Sequence, residues 1–468
     1  MDSEIEIKGF WWLPESPDKQ VSGTLSFSPG EPIVLELMGA LNIAGDKILT
    51  LRDFINPSII HGSSLGGKPV TLERCLQIGG TAGLTGISTT RFTAKFAYEG
   101  VHFPSEKDIK FRGLTIEYFN LDEWFSKNAF SQQSPKPGTE IVTYEQPSPI
   151  KTIVGDYHID FVSLGPNSSM DSFTYVKLSQ KAGVNIWSDT DKSIDEFLPL
   201  MRHIQNFLSL AMSKPTFVTD VTGNTELAKE SNPAFYYPVK MYYPANGLKT
   251  GSSKAHYFEM LFTLPAVEDQ LEKILNDWIN KAEIIKPVYD LYFSALYNPS
   301  IYQEFHFLSL AQAIETYHRQ IYGGKYQPDE AFENGLYKIL VSAIPADVDS
   351  GFRSSLKQGK LKFANEYSFR KRLQLLGEHL SERLAIDFLS DKKLRDIFAE
   401  QVSDTRNYFT HYPPELKEKA VKSGQEFHDL ISKLRLVLQI CLLEELGFPF
   451  DKISEIFKKN REYKIYFS

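Results

Sequence analysis

Over roughly the first 190 residues, apolar and polar positions alternate in short runs, and beyond about residue 260 the apolar positions recur every three or four residues. The chain therefore reads as two parts of different period. Runs rich in β-branched and aromatic residues lie at 5–13, 21–27, 33–38, 70–77, 92–98, 111–119 and 157–164, which is the composition of strands. Turn chemistry separates them, as where Ser28-Pro29-Gly30 and Glu31-Pro32 stand between the second run and the third. Short, punctuated strands predict a sandwich or barrel-like sheet. The stretch 131–149, with its Gln, Ser and Pro content, reads as a loop.

At 194–212 the period changes, and Phe197, Leu198, Met201, Ile204, Phe207, Leu208 and Leu210 define an amphipathic helix that Lys214-Pro215 ends. Strand and loop character returns over 216–244, and 246–253 is a polar, glycine-containing linker candidate. A boundary within 255–265 divides the chain into domains 1–260 and 261–468. The expected fold class is α+β, a β-rich N-terminal domain followed by an all-α bundle. In the second domain 272–296 is an amphipathic run broken at Pro287, and 304–322 has a broad apolar face stopped by Gly323-Gly324. Shorter helices are expected at 330–342, 370–380 and 384–389, then one from 391 to His411 that Pro413-Pro414 terminates. A last long helix is expected over 416–446, with Pro414 near its first turn. Its Leu430, Ile431, Leu434, Leu436, Leu438 and Leu442 exceed what one neighbour needs, so part of that face reads as a dimer surface.

Composition narrows the function. The chain has 468 residues, 42% apolar and 24% charged, as in ordinary globular proteins with two or more cores. Its two cysteines, Cys75 and Cys441, fall in different domains, which argues against a disulfide framework or a zinc site and for a reducing cytoplasm. The acidic opening Met1-Asp2-Ser3-Glu4 lacks a signal-peptide pattern, and the most apolar stretch, 434–446, is interrupted by Arg435, Gln439 and two glutamates, so no membrane association is expected. A net charge of -8 excludes a protein that coats nucleic acid by bulk electrostatics and leaves room for a focused basic site. Glycine clusters do not supply a phosphate loop: Gly66-Gly67-Lys68 runs into Pro69, and Gly79-Gly80 with Gly83 and Gly86 leads toward a strand, so both read as turns or bulges. Asp189 and Asp191 stand just before a helix and read as its caps in preference to a metal pair.

One stretch gathers the residue types of phosphate acid/base chemistry: Arg406-Asn407-Tyr408-Phe409-Thr410-His411, with Asp404 just before it. On a helix, Asn407 and His411 share a face and Arg406 flanks them, so three polar tips can converge on one ligand. A guanidinium offers planar, permanent charge to a phosphate, and a last-turn histidine lies at the negative end of the macrodipole, which favours its charged form. That combination suits a general acid beside a phosphate clamp. The bland alternative is a chance spacing in which His411 merely caps the helix.

The string resembles the Arg-Asn-x-x-x-His signature of the HEPN superfamily, whose arginine and histidine are the ribonuclease residues. Arg372 and His379 also fit the looser spacing, but Leu373 follows the arginine and Gly377 interrupts the match, so that pair is set aside. Gly9-Phe10-Trp11-Trp12, Ile60-His61-Gly62 and Val70-Thr71-Leu72 resemble the ApeA N-terminal domain, the companion of a HEPN module in bacterial anti-phage proteins. The resemblance implies a metal-independent, cofactor-free endoribonuclease of abortive infection, cutting RNA, with tRNA among its substrates, to 2′,3′-cyclic phosphate and 5′-hydroxyl ends. It implies that His411 moves the proton, Arg406 neutralises the phosphorane and Asn407 orients one of them, with Glu315 and Asp404 as candidate carboxylates behind them. Glu315 is otherwise a glutamate at the edge of an apolar stripe. A homodimer with facing motifs and an N-terminal domain that senses a phage protein complete the expectation. The competing reading is a non-catalytic HEPN module that binds a nucleotide or a partner.

Overall fold

The computed structural model describes residues 4–41, 55–81, 88–169, 176–226, 238–245 and 254–467. The chain divides into two compact units, 1–276 and 277–468. The linker candidate 246–253 and Gly83 and Gly86 lie outside the described residues.

The first unit is built on one antiparallel sheet. Its strands are β1 (Ile5–Trp12), β2 (Val21–Phe27), β3 (Ile33–Leu37), β4 (Ile59–Ser64), β5 (Pro69–Glu73), β6 (Leu76–Thr81), β7 (Thr89–Ala94), β8 (Phe96–Glu99) and β9 (Phe111–Tyr118). A hairpin of β10 (Phe130–Lys136) and β11 (Thr139–Tyr144) follows, then β12 (Ile150–Val154), β13 (Tyr157–Ser169), β14 (Lys177–Lys192), β15 (Val218–Asn224) and β16 (Val239–Tyr242). Among the described residues fourteen of these join in the order β12-β13-β14-β9-β15-β16-β8-β5-β4-β1-β2-β3-β7-β6. Alternation gives the sheet a dry side: in β3 Ile33, Leu35 and Leu37 are buried, and in β7 Thr90, Phe92 and Ala94. Trp11, Leu25, Leu35, Ile60, Leu72 and Phe92 share that core.

Several sequence expectations are corrected here. The run 70–77 is two strands, because Arg74 takes a left-handed conformation (φ 55°) and turns a corner between β5 and β6. The stretch 131–149 is largely hairpin: β10 and β11 are exposed along nearly their whole length, so no alternation marks them, and Gly138 (φ 77°) makes the turn. The register of β6 and β7 shifts between Gln77 and Gly79, the bulge expected of that glycine pair. Asp189 and Asp191 do not cap a helix. They lie inside β14, and Ser193 is the cap, its N–H donating to the Glu196 carboxylate at 2.8 Å. Helix α1 (Leu121–Phe125) and helix α2 (Ile194–Met212) cover one part of the sheet, with Trp124 between Phe161 and Phe207 at ring distances of 5.3 and 6.0 Å.

Helix α3 (Leu271–Ile284) carries the division between the units. The second unit continues with α4 (Lys286–Tyr297), α5 (Gln303–Tyr322), α6 (Phe369–Ser381), α7 (Lys392–His411), α8 (Gly424–Glu445) and α9 (Phe450–Lys459). Helix α5 packs against α4, α6, α7 and α8, burying Phe307, Leu310, Ile314 and Tyr317. Only a single turn, Asp387–Leu389, forms where a helix over 384–389 was expected. Helix α8 begins at Gly424, not near 416: the polar 417–423 has helix-forming composition, but Gly424 at φ 76° breaks any continuation. Its apolar residues are also not surplus. Leu430, Ile431, Leu434, Leu436, Leu438 and Leu442 are all buried within the chain, because α8 is a central helix surrounded by its own unit, so that face is no dimer surface. Between α5 and α6, residues 329–361 form short helices with π-type turns at Phe332–Leu336 and Leu356–Leu361, and Phe332 is the one buried side chain there.

Arg372 is the most unusual core residue of this unit, at 1% exposure. Its guanidinium donates to the carbonyl oxygens of Tyr367 (3.2 Å), Gly323 and Gly324 (3.4 Å) and to His318 Nδ1 (3.2 Å). Gly324 is required: it sits at φ 109°, and a Cβ there would meet Arg372 Nη1 at 2.7 Å. Burial and the adjacent Arg372 charge push the His318 imidazole down to about 4. Between about pH 6.5 and 4 the unfolded chain binds a proton at this position that the folded chain refuses, so acid lowers stability by an amount on the order of 3 kcal/mol. The variant His318→Asn keeps an acceptor for Arg372 without the titration. Its melting temperature should fall less steeply between pH 6.5 and 4 than that of the parent chain, and an identical slope in thermal unfolding would refute the assignment.

Candidate active site

Helix α7 starts because Asp391 caps it, accepting from the Leu394 N–H at 2.9 Å, and it ends because Tyr412 adopts φ 51° before Pro413. Its buried stripe is Phe398, Ala399, Val402, Ser403 and Thr405. Thr405 also pins the chain that follows, accepting from the Val421 N–H at 3.0 Å. With that stripe facing inward, Arg406 and Asn407 lie at the edge of the buried surface and His411 is exposed.

Three groups hold Arg406. Its Nη2 donates to Glu315 Oε2 at 2.7 Å, its Nη1 donates to Asn407 Oδ1 at 3.0 Å, and its guanidinium carbon stands 5.3 Å from the centre of the Phe369 ring. The structure thus brings together Arg406, Asn407 and Glu315, from α7 and α5. Glu315 is shared, since Arg319 Nη2 lies 3.6 Å from its other oxygen, and Arg319 also pairs with Glu366. The Glu366 hydrogen bond raises the Arg319 guanidinium above its ordinary range.

His411 and Asp404 stand apart from this network. The side chain of His411, one helical turn beyond Asn407, makes no hydrogen bond or ion pair among the described residues, so its imidazole is available to an incoming group. Asp404 is half-buried and likewise meets neither Arg406 nor His411. The alternative match differs in kind. Arg372 is consumed inside the core, and His379 Nε2 lies 3.0 Å from Glu444, with Tyr322 and Arg383 against the same ring. Among the described residues no group of three or more His, Cys, Asp or Glu side chains is gathered for a metal ion, and no helix is long and apolar enough to cross a membrane. Cys75 and Cys441 are free and buried.

Sequence reasoning missed two members of the site. Arg319 carried a local signal, standing four residues after Glu315 on the same helix. Phe369 carried none, because its place under Arg406 is set by the packing of α6.

Chemically, this is a planar guanidinium donor held on the same helix as a free imidazole, a combination suited to a phosphate and a mobile proton. The family model for ApeA N-terminal domain 1 matches residues 6–278, and the model for Apea-like HEPN matches residues 308–452, which contain Glu315, Arg406, Asn407 and His411. No curated protein and no solved structure matches the chain.

The geometry separates Glu315 from Asp404 in a double-mutant cycle on urea unfolding. Arg406→Gln with Glu315→Gln should show a coupling of about 1 kcal/mol, as for a part-buried ion pair, and Arg406→Gln with Asp404→Asn should show none. A coupling to Asp404 of equal size would overturn this assignment.

Proposed function

The chain belongs to the ApeA family, its helical part being an Apea-like HEPN domain of the nuclease type, and we propose that it is a metal-independent endoribonuclease of anti-phage defence. The observation that carries the reading is a fixed Arg406 with an unengaged His411 five residues further along α7.

In the proposed reaction the ribose 2′-oxygen attacks the adjacent phosphorus, the O2′–P bond forms and the P–O5′ bond breaks. One proton leaves the 2′-hydroxyl and one is delivered to the 5′-oxygen. Arg406 faces the non-bridging oxygens, where negative charge grows in the phosphorane, and Glu315 and Phe369 keep its guanidinium from swinging away. Asn407 accepts from Arg406 through Oδ1, which leaves its amide N–H groups for the phosphate or for His411. His411 carries one of the two protons.

The second proton asks for a second group, and a homodimer with facing motifs would supply it. With α8 buried, the exposed apolar side chains Leu336, Ile339, Phe352 and Phe363 support self-association through 329–363. Its first limb carries Glu330, Glu333 and Lys338 and its second Arg353, Lys357, Lys360 and Lys362, a charge difference that two copies related by a two-fold axis could match. The N-terminal domain would then sense the trigger, for which a phage protein is the proposal, and RNA, including tRNA, would be the substrate of a cytoplasmic enzyme.

Incubation with total RNA in EDTA should yield 2′,3′-cyclic phosphate and 5′-hydroxyl ends. Arg406→Ala and His411→Ala should each lower cleavage by about a hundredfold or more with the fold intact. His379→Ala should cut like the parent. Adding His411→Ala chain to parent chain should reduce activity faster than dilution if the site is shared. Unchanged cleavage by either site variant would sink the assignment of these residues, and nucleotide binding with no cleavage at all would favour the non-catalytic module.

A further inference from the structure

Tyr412 is placed where packing does not explain it. It directly follows His411, it is 65% exposed, and it holds a left-handed conformation (φ 51°) at the end of α7, a position that glycine ordinarily fills. A bulky side chain there strains the backbone, and here the ring gains little burial in return. The N–H of Tyr412 donates to the Tyr408 carbonyl at 2.7 Å, which holds the backbone that carries the ring next to the motif.

The ring ends a column of aromatics that rises from the core. Phe409 meets buried Phe427 at 5.5 Å and Phe307 at 6.2 Å, Tyr408 meets Phe409 at 5.6 Å, and Tyr412 meets Tyr408 at 5.3 Å with the planes 65° apart. The contact supports the last ring, and at 65% exposure that ring keeps a face open to solvent. Lys422 adds charge: its Nζ lies 5.5 Å from the Tyr408 ring and donates to the Lys417 carbonyl.

We infer that Tyr412, with Tyr408 and Lys422, forms a base-stacking subsite for an unpaired nucleotide next to the phosphate that Arg406 and His411 engage. The inference rests on the proposed ribonuclease reading and names its substrate class, single-stranded or looped RNA. An aromatic face can stack on a base only when that base is free of its own helix, and every base has such a face, so the subsite selects unpaired structure with little regard to sequence. Lys422 supplies the complementary charge for a neighbouring phosphate.

The test is binding of a fluorescent single-stranded RNA oligomer to the full-length chain carrying His411→Ala, followed by anisotropy. Tyr412→Gly in that background should weaken binding by about tenfold or more, as loss of one aromatic stacking partner does, while relieving the strained turn and therefore not lowering the melting temperature. Tyr412→Phe, which keeps the ring, should recover most of the binding. A perfect duplex of the same sequence should bind more weakly and be insensitive to Tyr412. Equal binding by the Tyr412→Gly chain, equal loss with Tyr412→Phe, or no measurable affinity for the oligomer would each overturn the subsite. The two readings fail separately: a parent chain that binds through Tyr412 but cuts nothing retains the subsite without the nuclease. One that cuts RNA equally well with Tyr412→Gly retains the nuclease without the subsite.

Discussion

A guanidinium at the edge of a packed interior needs a fixed counter-charge, and in this chain that requirement joins two helices. Arg406 cannot shed its proton, so its half-buried position on α7 is tolerable only if a carboxylate meets it, and Glu315 does so from α5 across 91 residues of sequence. The pair sets the facing of both helices, since rotating either by one residue would separate the charges by about 100° around the axis. Arg319 also approaches Glu315 but is matched more closely by Glu366, so the charges of the two arginines and two glutamates balance. On the proposed reading, a phosphate clamp needs a guanidinium that is held in place and still open to solvent on one side, as the half-buried Arg406 is.

Two arginines on neighbouring helices show what burial does to the same side chain. Arg406 keeps a face toward solvent, whereas Arg372 spends its donors on three carbonyls and a histidine. Both satisfy the spacing of the motif to a histidine. Spacing therefore identifies candidates, and only accessibility separates a group that can reach a substrate from one that stabilises a chain reversal. His318 follows the same logic, remaining a neutral acceptor because it is buried beside a permanent cation.

What was legible in the sequence was what local periodicity encodes. The strands whose one side is dry, such as β2, β3 and β9, could be read from alternation, and α5 and α7 from their stripes and stops. The β10–β11 hairpin could not, because both its sides meet water and its register is tied at one end by Phe130 opposite Tyr144. The start of α8 was hidden by lysines and glutamates that favour helix equally well in a turn. That its apolar face is internal was equally hidden, since a one-dimensional pattern counts apolar residues without counting the neighbours that cover them. In the site, the Arg406 to His411 spacing was visible because one helix presents it, and Glu315 because it interrupts a stripe. Phe369 belongs to a third helix and enters only through packing.

On the proposed reading, the exposure of His411 follows from the geometry of the reaction. In-line displacement puts the entering 2′-oxygen and the departing 5′-oxygen on opposite sides of the phosphorus, so one imidazole cannot take a proton from the first and give one to the second in the same step. A site buried in one chain would need two such groups from the same core, with the desolvation cost that every buried ionisable side chain carries. A single histidine at an open helix end avoids that cost. On that same reading the other side of the phosphate is left for a second copy to complete.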